Sequence, residues 1–311
     1  MRDVQRRLTG LGFAVDADRS GWFGSGTETA VRRFQAERGL RVDGVCGDQT
    51  WSSLVEAGYQ LGDRLLYHRA PMLRGDDVAH VQRLLGALGF DAGRVDGIFG
   101  PATAGALRDF QRNAGLHSDG ICGRATAAQL LRLGARTTDA TTVAAVREVE
   151  ALRAGPQSLP DRRIAVGESG GLAALARAFA RELRDAGAVV ALLHHPNEST
   201  QAAEANDFKA EVFVGLSLLD HAGRRVAYYS TGAFESVGGR RLAGAMLEAL
   251  PDPLFAPPGE AVGMRVPVLR ETRMPAVVCE LGPPSLVVEH GARLAEALTH
   301  GLAAWLQSPL D

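Results

Sequence analysis

The 311-residue chain has one lysine, Lys209, among 34 basic residues, so arginine supplies almost all of its positive charge. We read that bias as the composition of the genome rather than as chemistry, and it removes one option: no Gly-rich turn is followed by the lysine a P-loop needs. Cysteine is as sparse. Cys46, Cys122 and Cys279 are far apart and outside any C-x-x-C spacing, which points to buried reduced thiols rather than a redox or metal pair. No apolar run approaches the roughly 18 residues of a membrane span, and the N-terminal MRDVQRRLTG has no apolar h-region. The expected location is the cytoplasm. A net charge of −2 gives no electrostatic reason to bind nucleic acid or an anionic membrane. What is present is an ordinary hydrophobic content of 46% in a chain long enough for two domains, each with its own core.

The first half repeats itself. VQRRLTGLGF at 4–13 returns as VQRLLGALGF at 81–90, and FQAERGLRVDGVCG at 34–47 returns as FQRNAGLHSDGICG at 110–123. The second pair is spaced one residue closer, which places an insertion in the turn around Trp22. Duplication of one folded unit explains the pattern. Each copy reads as three short helices. Val4, Leu8 and Leu11 share a helical face, as do Ala30, Val31 and Phe34, and then Trp51, Leu54 and Val55. Asp48 and Gly100-Pro101 supply start signals, and the Asp43-Gly44 and Asp119-Gly120 turns break the chain between helices. Cys46 and Cys122 hold equivalent places, which favours packing roles for both.

After residue 162 the pattern changes. Strand-like runs at 164–166, 188–193, 211–219, 225–230, 264–270 and 276–280 alternate with helical stretches at 172–187, 198–209, 237–250 and 285–307. Such alternation predicts an α/β domain with a mainly parallel sheet and a site at the carboxyl ends of its strands. The chain thus divides into a first repeat at 1–58, a joining segment at 59–73 apolar enough to pack on the repeats, and a second repeat at 74–135. A further joining segment at 136–161, with one helical pattern at 141–154, leads to the α/β domain at 162–308.

The paired VDGxxG…AxxxFQxxxGLxxDGxxG pattern resembles the peptidoglycan-binding repeat of bacterial cell-wall hydrolases. LRDAGAVVALL (183–193), ANDFKAEVFVGLSL (205–218) and VLRETRMPAVVCELG (268–282) resemble the framework of the zinc-dependent N-acetylmuramoyl-L-alanine amidases. The order of two repeats and then an amidase-like domain is most similar to the actinobacterial CwlM proteins. The resemblance implies two all-α repeats followed by an amidase-like α/β domain.

It also implies a zinc ion held by two His and one Glu, with a second Glu as general base. The sequence departs from that pattern at the ligands. In RIAVGESGG (163–171), Ser169 stands where the first His precedes two glycines. Glu168 is either a remnant of that turn or, with a longer deletion, stands in the place of the ligand Glu; neither alignment supplies an imidazole. Ser217 stands at the second His position, and only Glu280, in VVCELG, keeps its family place. One carboxylate and two hydroxyls make a poor zinc site, so no cofactor is expected unless the chain is an active amidase. His194, His195 and His221, near predicted strand ends, are the residues from which a shifted site could be assembled. GESGG also matches G-x-S-x-G literally, although the partners of a serine nucleophile cannot be assigned.

Together these residues predict a non-catalytic relative that acts through protein contacts. Resemblance to the CwlM proteins implies a cytoplasmic regulator of peptidoglycan precursor synthesis with the enolpyruvyl transferase MurA as partner, and peptidoglycan fragments as a further ligand class. The alternatives are a working zinc amidase and a wall-binding module.

Overall fold

A computed structural model describes residues 1–16, 18–134, 143–232, 234–251, 254–255 and 258–310. The chain divides into two compact units, Met1–Arg147 and Glu148–Asp311. In the first unit each repeat folds as three helices: α1 (Arg2–Gly10), α2 (Ser25–Glu37) and α3 (Asp48–Ala57), then α4 (Asp76–Ala87), α5 (Pro101–Asn113) and α6 (Arg124–Gly134). Leu8, Val31, Phe34 and Leu54 form the first core; Val81, Leu85, Phe99, Leu107, Phe110 and Leu130 form the second. The duplication extends to side-chain geometry. Phe13 meets Phe34 edge-on at 5.6 Å, and its counterpart Phe90 meets Phe110 edge-on at 5.7 Å. Trp51, placed by its spacing with Leu54, lies instead at the surface under the Arg7 guanidinium. Cys122 is buried, whereas its counterpart Cys46 is only half-buried.

A four-fold pattern underlies the two repeats. A buried glutamine on one helix closes the turn before the next: its amide nitrogen donates to a backbone carbonyl and a threonine hydroxyl, while its oxygen accepts a glycine N–H. Gln5 does this with Gly21 and Thr27, Gln35 with Gly44 and Thr50, Gln82 with Gly97 and Thr103, and Gln111 with Gly120 and Thr126. The four glycines have φ of +86°, +73°, +71° and +75°, a region closed to most side chains, which accounts for the recurring glycine. Each amide satisfies backbone groups that the turn would otherwise bury unpaired.

The joining segment straps the second repeat. Leu66 and Cys122 exchange two backbone hydrogen bonds (3.3 and 2.8 Å), Phe99 N–H donates to the Leu73 carbonyl (2.9 Å), and Gly75 N–H to that of Gly97 (3.1 Å). Leu66 and Leu73 enter the core of that repeat. Arg64 fastens the strap: it donates to both oxygens of buried Asp77 (2.7 and 3.0 Å) and to the Arg74 carbonyl (2.6 Å). The predicted helix at 141–154 is present as α7 (Val143–Ala154); residues 141 and 142 lie outside the described residues.

In the second unit the strands are β1 (Arg163–Glu168), β2 (Val189–His194), β3 (Val212–Leu218), β4 (Gly223–Thr231), β5 (Phe234–Glu235), β6 (Glu260–Met264) and β7 (Ala276–Gly282). Their sheet runs β2-β1-β3-β7-β4-β5, with β6 also on β4. β1 pairs in parallel with β2 and β3, β3 with β7, and β6 with β4, while β4 runs antiparallel to β7 and β5. The helices are α8 (Ala173–Asp185), α9 (Glu198–Asp207), α10 (Val237–Ala249), α11 (Pro267–Glu271), α12 (Pro284–Glu289) and α13 (Gly291–Gln307).

Ile164, Val166, Val214, Val277 and Cys279 form one core with Phe179 of α8, Met246 of α10 and Leu298 and Trp305 of α13. Two expected elements are corrected. The apolar run at 264–270 is the end of β6 followed by α11, because Pro267 cannot donate within a ladder but suits the first turn of a helix. The stretch 285–307 is two helices, α12 and α13, meeting at His290-Gly291.

Candidate functional site

The predicted site residues lie at the carboxyl ends of β1, β3 and β7, as the α/β pattern implied, but the sheet does not bring them to one point. Strand side chains alternate between faces. Gly167 points toward α9, where an added Cβ would lie 2.3 Å from Gln201 Oε1, and Glu168 points the other way, toward the turn that opens α8. In register, Glu168 stands beside Leu216, whereas Glu280 stands beside Ser217, the next residue of β3. The Glu168 and Glu280 carboxylates therefore face opposite sides of the sheet.

Glu168 is 1% exposed and fully engaged. Its Oε1 accepts the Gly170 and Leu172 N–H groups at 2.7 and 2.9 Å, and its Oε2 meets Nδ1 of His194. Burial alone would raise its pKa. The Leu172 N–H, His194 and the Gly170 N–H outweigh that and hold the carboxyl below its ordinary value. The imidazole beside Glu168 comes from the neighbouring strand. Parallel pairing sets the last residue of β1 beside the last residue of β2, which is His194. The group works as a cap for the turn and for the start of α8.

Ser169 accepts a hydrogen bond from Gln201 Nε2 at 3.1 Å, and the same amide donates to the His195 carbonyl at 2.6 Å. Gly167 is the position that lets Gln201 approach so closely. Ser217, half-buried, is the register partner of Glu280. On its other side Glu280 is the register partner of Arg225 in β4, whose Nε donates to Glu280 Oε2 at 2.5 Å and whose Nη2 meets the same oxygen. Glu280 is 3% exposed and the arginine side chain 32%.

The three histidines considered for a shifted site do not converge. His194 is on Glu168, His195 Nδ1 accepts the Asn197 N–H at 2.9 Å within its own turn, and His221 pairs with neighbouring Asp220 at the surface. Among the described residues no group of three or more His, Cys, Asp or Glu side chains lies close enough together to hold a metal ion. Hydroxyls at 169 and 217, with carboxylates on opposite faces and already bonded, do not fit zinc, which takes imidazole, thiolate or carboxylate donors.

Arg225 and Gln201 were not singled out in the sequence. Arg225 sits in GRRVAYYS, where only the β4–β7 register reveals its partner. Gln201 lies in the polar run ESTQAAEAND, which gives no sign that this residue is buried.

Residues 1–54 and 74–130 match the family described as "Putative peptidoglycan binding domain". The chain is 34% identical over 293 residues to N-acetylmuramoyl-L-alanine amidase CwlM of Mycobacterium tuberculosis, covering 84% of this chain and 71% of that one. It is 32% identical over 154 residues to N-acetylmuramoyl-L-alanine amidase CwlL of Bacillus licheniformis, 43% of each chain. Among solved structures it is similar to the amidase Ami1 of Mycobacterium smegmatis, with a TM-score of 0.42 and 16% identity, covering 49% of this chain and 99% of that one. Among the described residues no helix is long and apolar enough to cross a membrane. With that identity over most of both sequences, the chain belongs to the family of the mycobacterial N-acetylmuramoyl-L-alanine amidase CwlM.

Proposed function

We propose that this family member is a non-catalytic regulator of peptidoglycan biosynthesis that acts through protein contacts in the cytoplasm, with the enolpyruvyl transferase MurA as partner. The observation that carries the reading is the Arg225–Glu280 pair. A general base needs a lone pair within reach of the proton it takes. Here the carboxylate at the family's base position is held by a guanidinium on the neighbouring strand, and the positions of the two imidazoles are Ser169 and Ser217. In this reading Glu280 is a vestige that anchors the sheet, and the chain needs no zinc.

The mycobacterial relative is called an amidase, which favours the alternative of a working amidase, here one that would need zinc. Elemental analysis of the purified protein and its turnover of muropeptides separate the two. We expect no stoichiometric zinc and no release of L-alanine-bearing peptides; zinc together with turnover would overturn the proposal. The partner is tested by adding the protein to MurA from the same organism, where a changed rate is expected. An unchanged rate with no detectable complex removes MurA.

The match of both repeats to a peptidoglycan-binding family supports peptidoglycan fragments as a second ligand class. Sedimentation with purified sacculi tests it, and failure to co-pellet would leave the repeats as a scaffold for proteins.

A further inference from the structure

The duplication provides an internal comparison. On the second repeat, the turns at 96–100 and 119–123 are covered by the strap; on the first, no strap crosses the equivalent turns at 20–24 and 43–47 among the described residues, and at Gly24 it is the local Asp18 carboxylate that takes the N–H, at 3.0 Å. Ile98 is 8% exposed and its counterpart Trp22 71%. Phe99 and Cys122 are buried, and their counterparts Phe23 and Cys46 are half-buried. Leu65 lies 3.5 Å from a Cβ built on Gly123, whereas nothing lies within 4 Å of one built on Gly47.

Backbone groups differ in the same way. Cys122 N–H and C=O and Phe99 N–H bond to the strap, while among the described residues those of Cys46 and Phe23 have no backbone partner. Exposed apolar side chains beside backbone donors and acceptors that have no backbone partner are what an added extended strand satisfies.

We propose that the open turn pair of the first repeat is a docking site for an extended segment of a partner protein, bound as the 59–74 segment is bound on the second repeat. The segment carries apolar side chains at the places of Leu66 and Leu73 and exchanges backbone hydrogen bonds with Cys46 and Phe23. The ligand class is read from the occupied copy, whose occupant is polypeptide backbone and not a sugar. This inference rests on the N-terminal unit alone, so it stands or falls separately from the zinc and MurA tests.

The probe is a synthetic peptide of the strap sequence, RLLYHRAPMLRG (64–75), added to the full chain while alkylation of Cys46 is followed by mass spectrometry. With peptide in excess of its dissociation constant, Cys46 alkylation slows by about fivefold or more. Gly47→Trp fills the place that Leu65 takes on the other copy and abolishes the protection; far-ultraviolet circular dichroism checks that this variant is folded. The matching Gly123→Trp displaces the strap and opens Cys122 to the reagent. Unchanged Cys46 labelling at millimolar peptide would overturn the proposal, and so would protection by muropeptides with none by the peptide.

Discussion

Arg225 and Glu280 face each other across the antiparallel β4–β7 pairing, with the guanidinium Nε 2.5 Å from a carboxylate oxygen that is almost wholly out of water. Losing the arginine takes a favourable cation from a carboxylate that stays out of water, whereas losing both removes the buried charge as well. Arg225→Leu is therefore expected to cost about 3 kcal/mol, and Arg225→Leu with Glu280→Leu distinctly less than that. Urea denaturation of the two variants and the wild type measures the difference. Equal losses would show that the pair contributes nothing specific.

Glu168 gives the α/β domain an acid-sensitive point. Its folded-state pKa lies below the unfolded one, so its contribution is complete above the ordinary carboxylate value and is lost as pH falls through the lower, folded value. Glu168→Gln should therefore flatten the fall in stability below about pH 4.3. Denaturation midpoints taken across that window check it. A variant with the same acid slope as the wild type would place the sensitivity elsewhere.

The glutamine turns are open to a direct test. Gln111→Leu keeps the volume but leaves the buried Gly120 N–H without its 2.8 Å acceptor, at a cost of about 2–3 kcal/mol. Hydrogen exchange at Gly120 should accelerate to match, with Gly44 in the other repeat unaffected.

Gly167 is expected to tolerate no side chain. Gly167→Ala would place a Cβ 2.3 Å from Gln201 Oε1 and 2.5 Å from Phe213 Cζ. We expect a loss of about 1–3 kcal/mol, read by thermal unfolding, as α9 is pushed from the sheet.

Thiol chemistry should sort the cysteines by depth. Burial pushes the thiols of Cys122 and Cys279 up to about 12. Iodoacetamide at about pH 8 should modify half-buried Cys46 in the native protein and reach the other two only after unfolding.

Element types were largely legible in the sequence because period and punctuation agree: apolar faces at helical spacing in the repeats, and strand–helix alternation after residue 162. The failures have local causes. At 264–270 the apolar run looked like a strand, but Pro267 starts a helix, and at 285–307 one long pattern hid the break at His290-Gly291. The amidase-like framework was legible too. What holds Glu168 and Glu280 was not. Arg225 reaches Glu280, and His194 reaches Glu168, only through strand register, and register belongs to the assembled sheet rather than to any local window. The four-fold glutamine pattern stayed hidden for a different reason. The sequence around Gly21 lacks the Asp-Gly pair of the other three turns, so the eye stops at two copies.

The glutamine turns also set a timetable. Their hydrogen bonds join residues between 8 and 22 positions apart, so each of these turns closes on local contacts with little loop entropy to overcome. The sheet is different: its central neighbours β3 and β7 pair Phe213 with Ala276, and β4 cannot take its place beside β7 before that strand exists. Made from the N-terminus on a ribosome, the chain presents finished repeats, with the turns at 20–24 and 43–47 already formed, while the α/β domain still waits for its last strand.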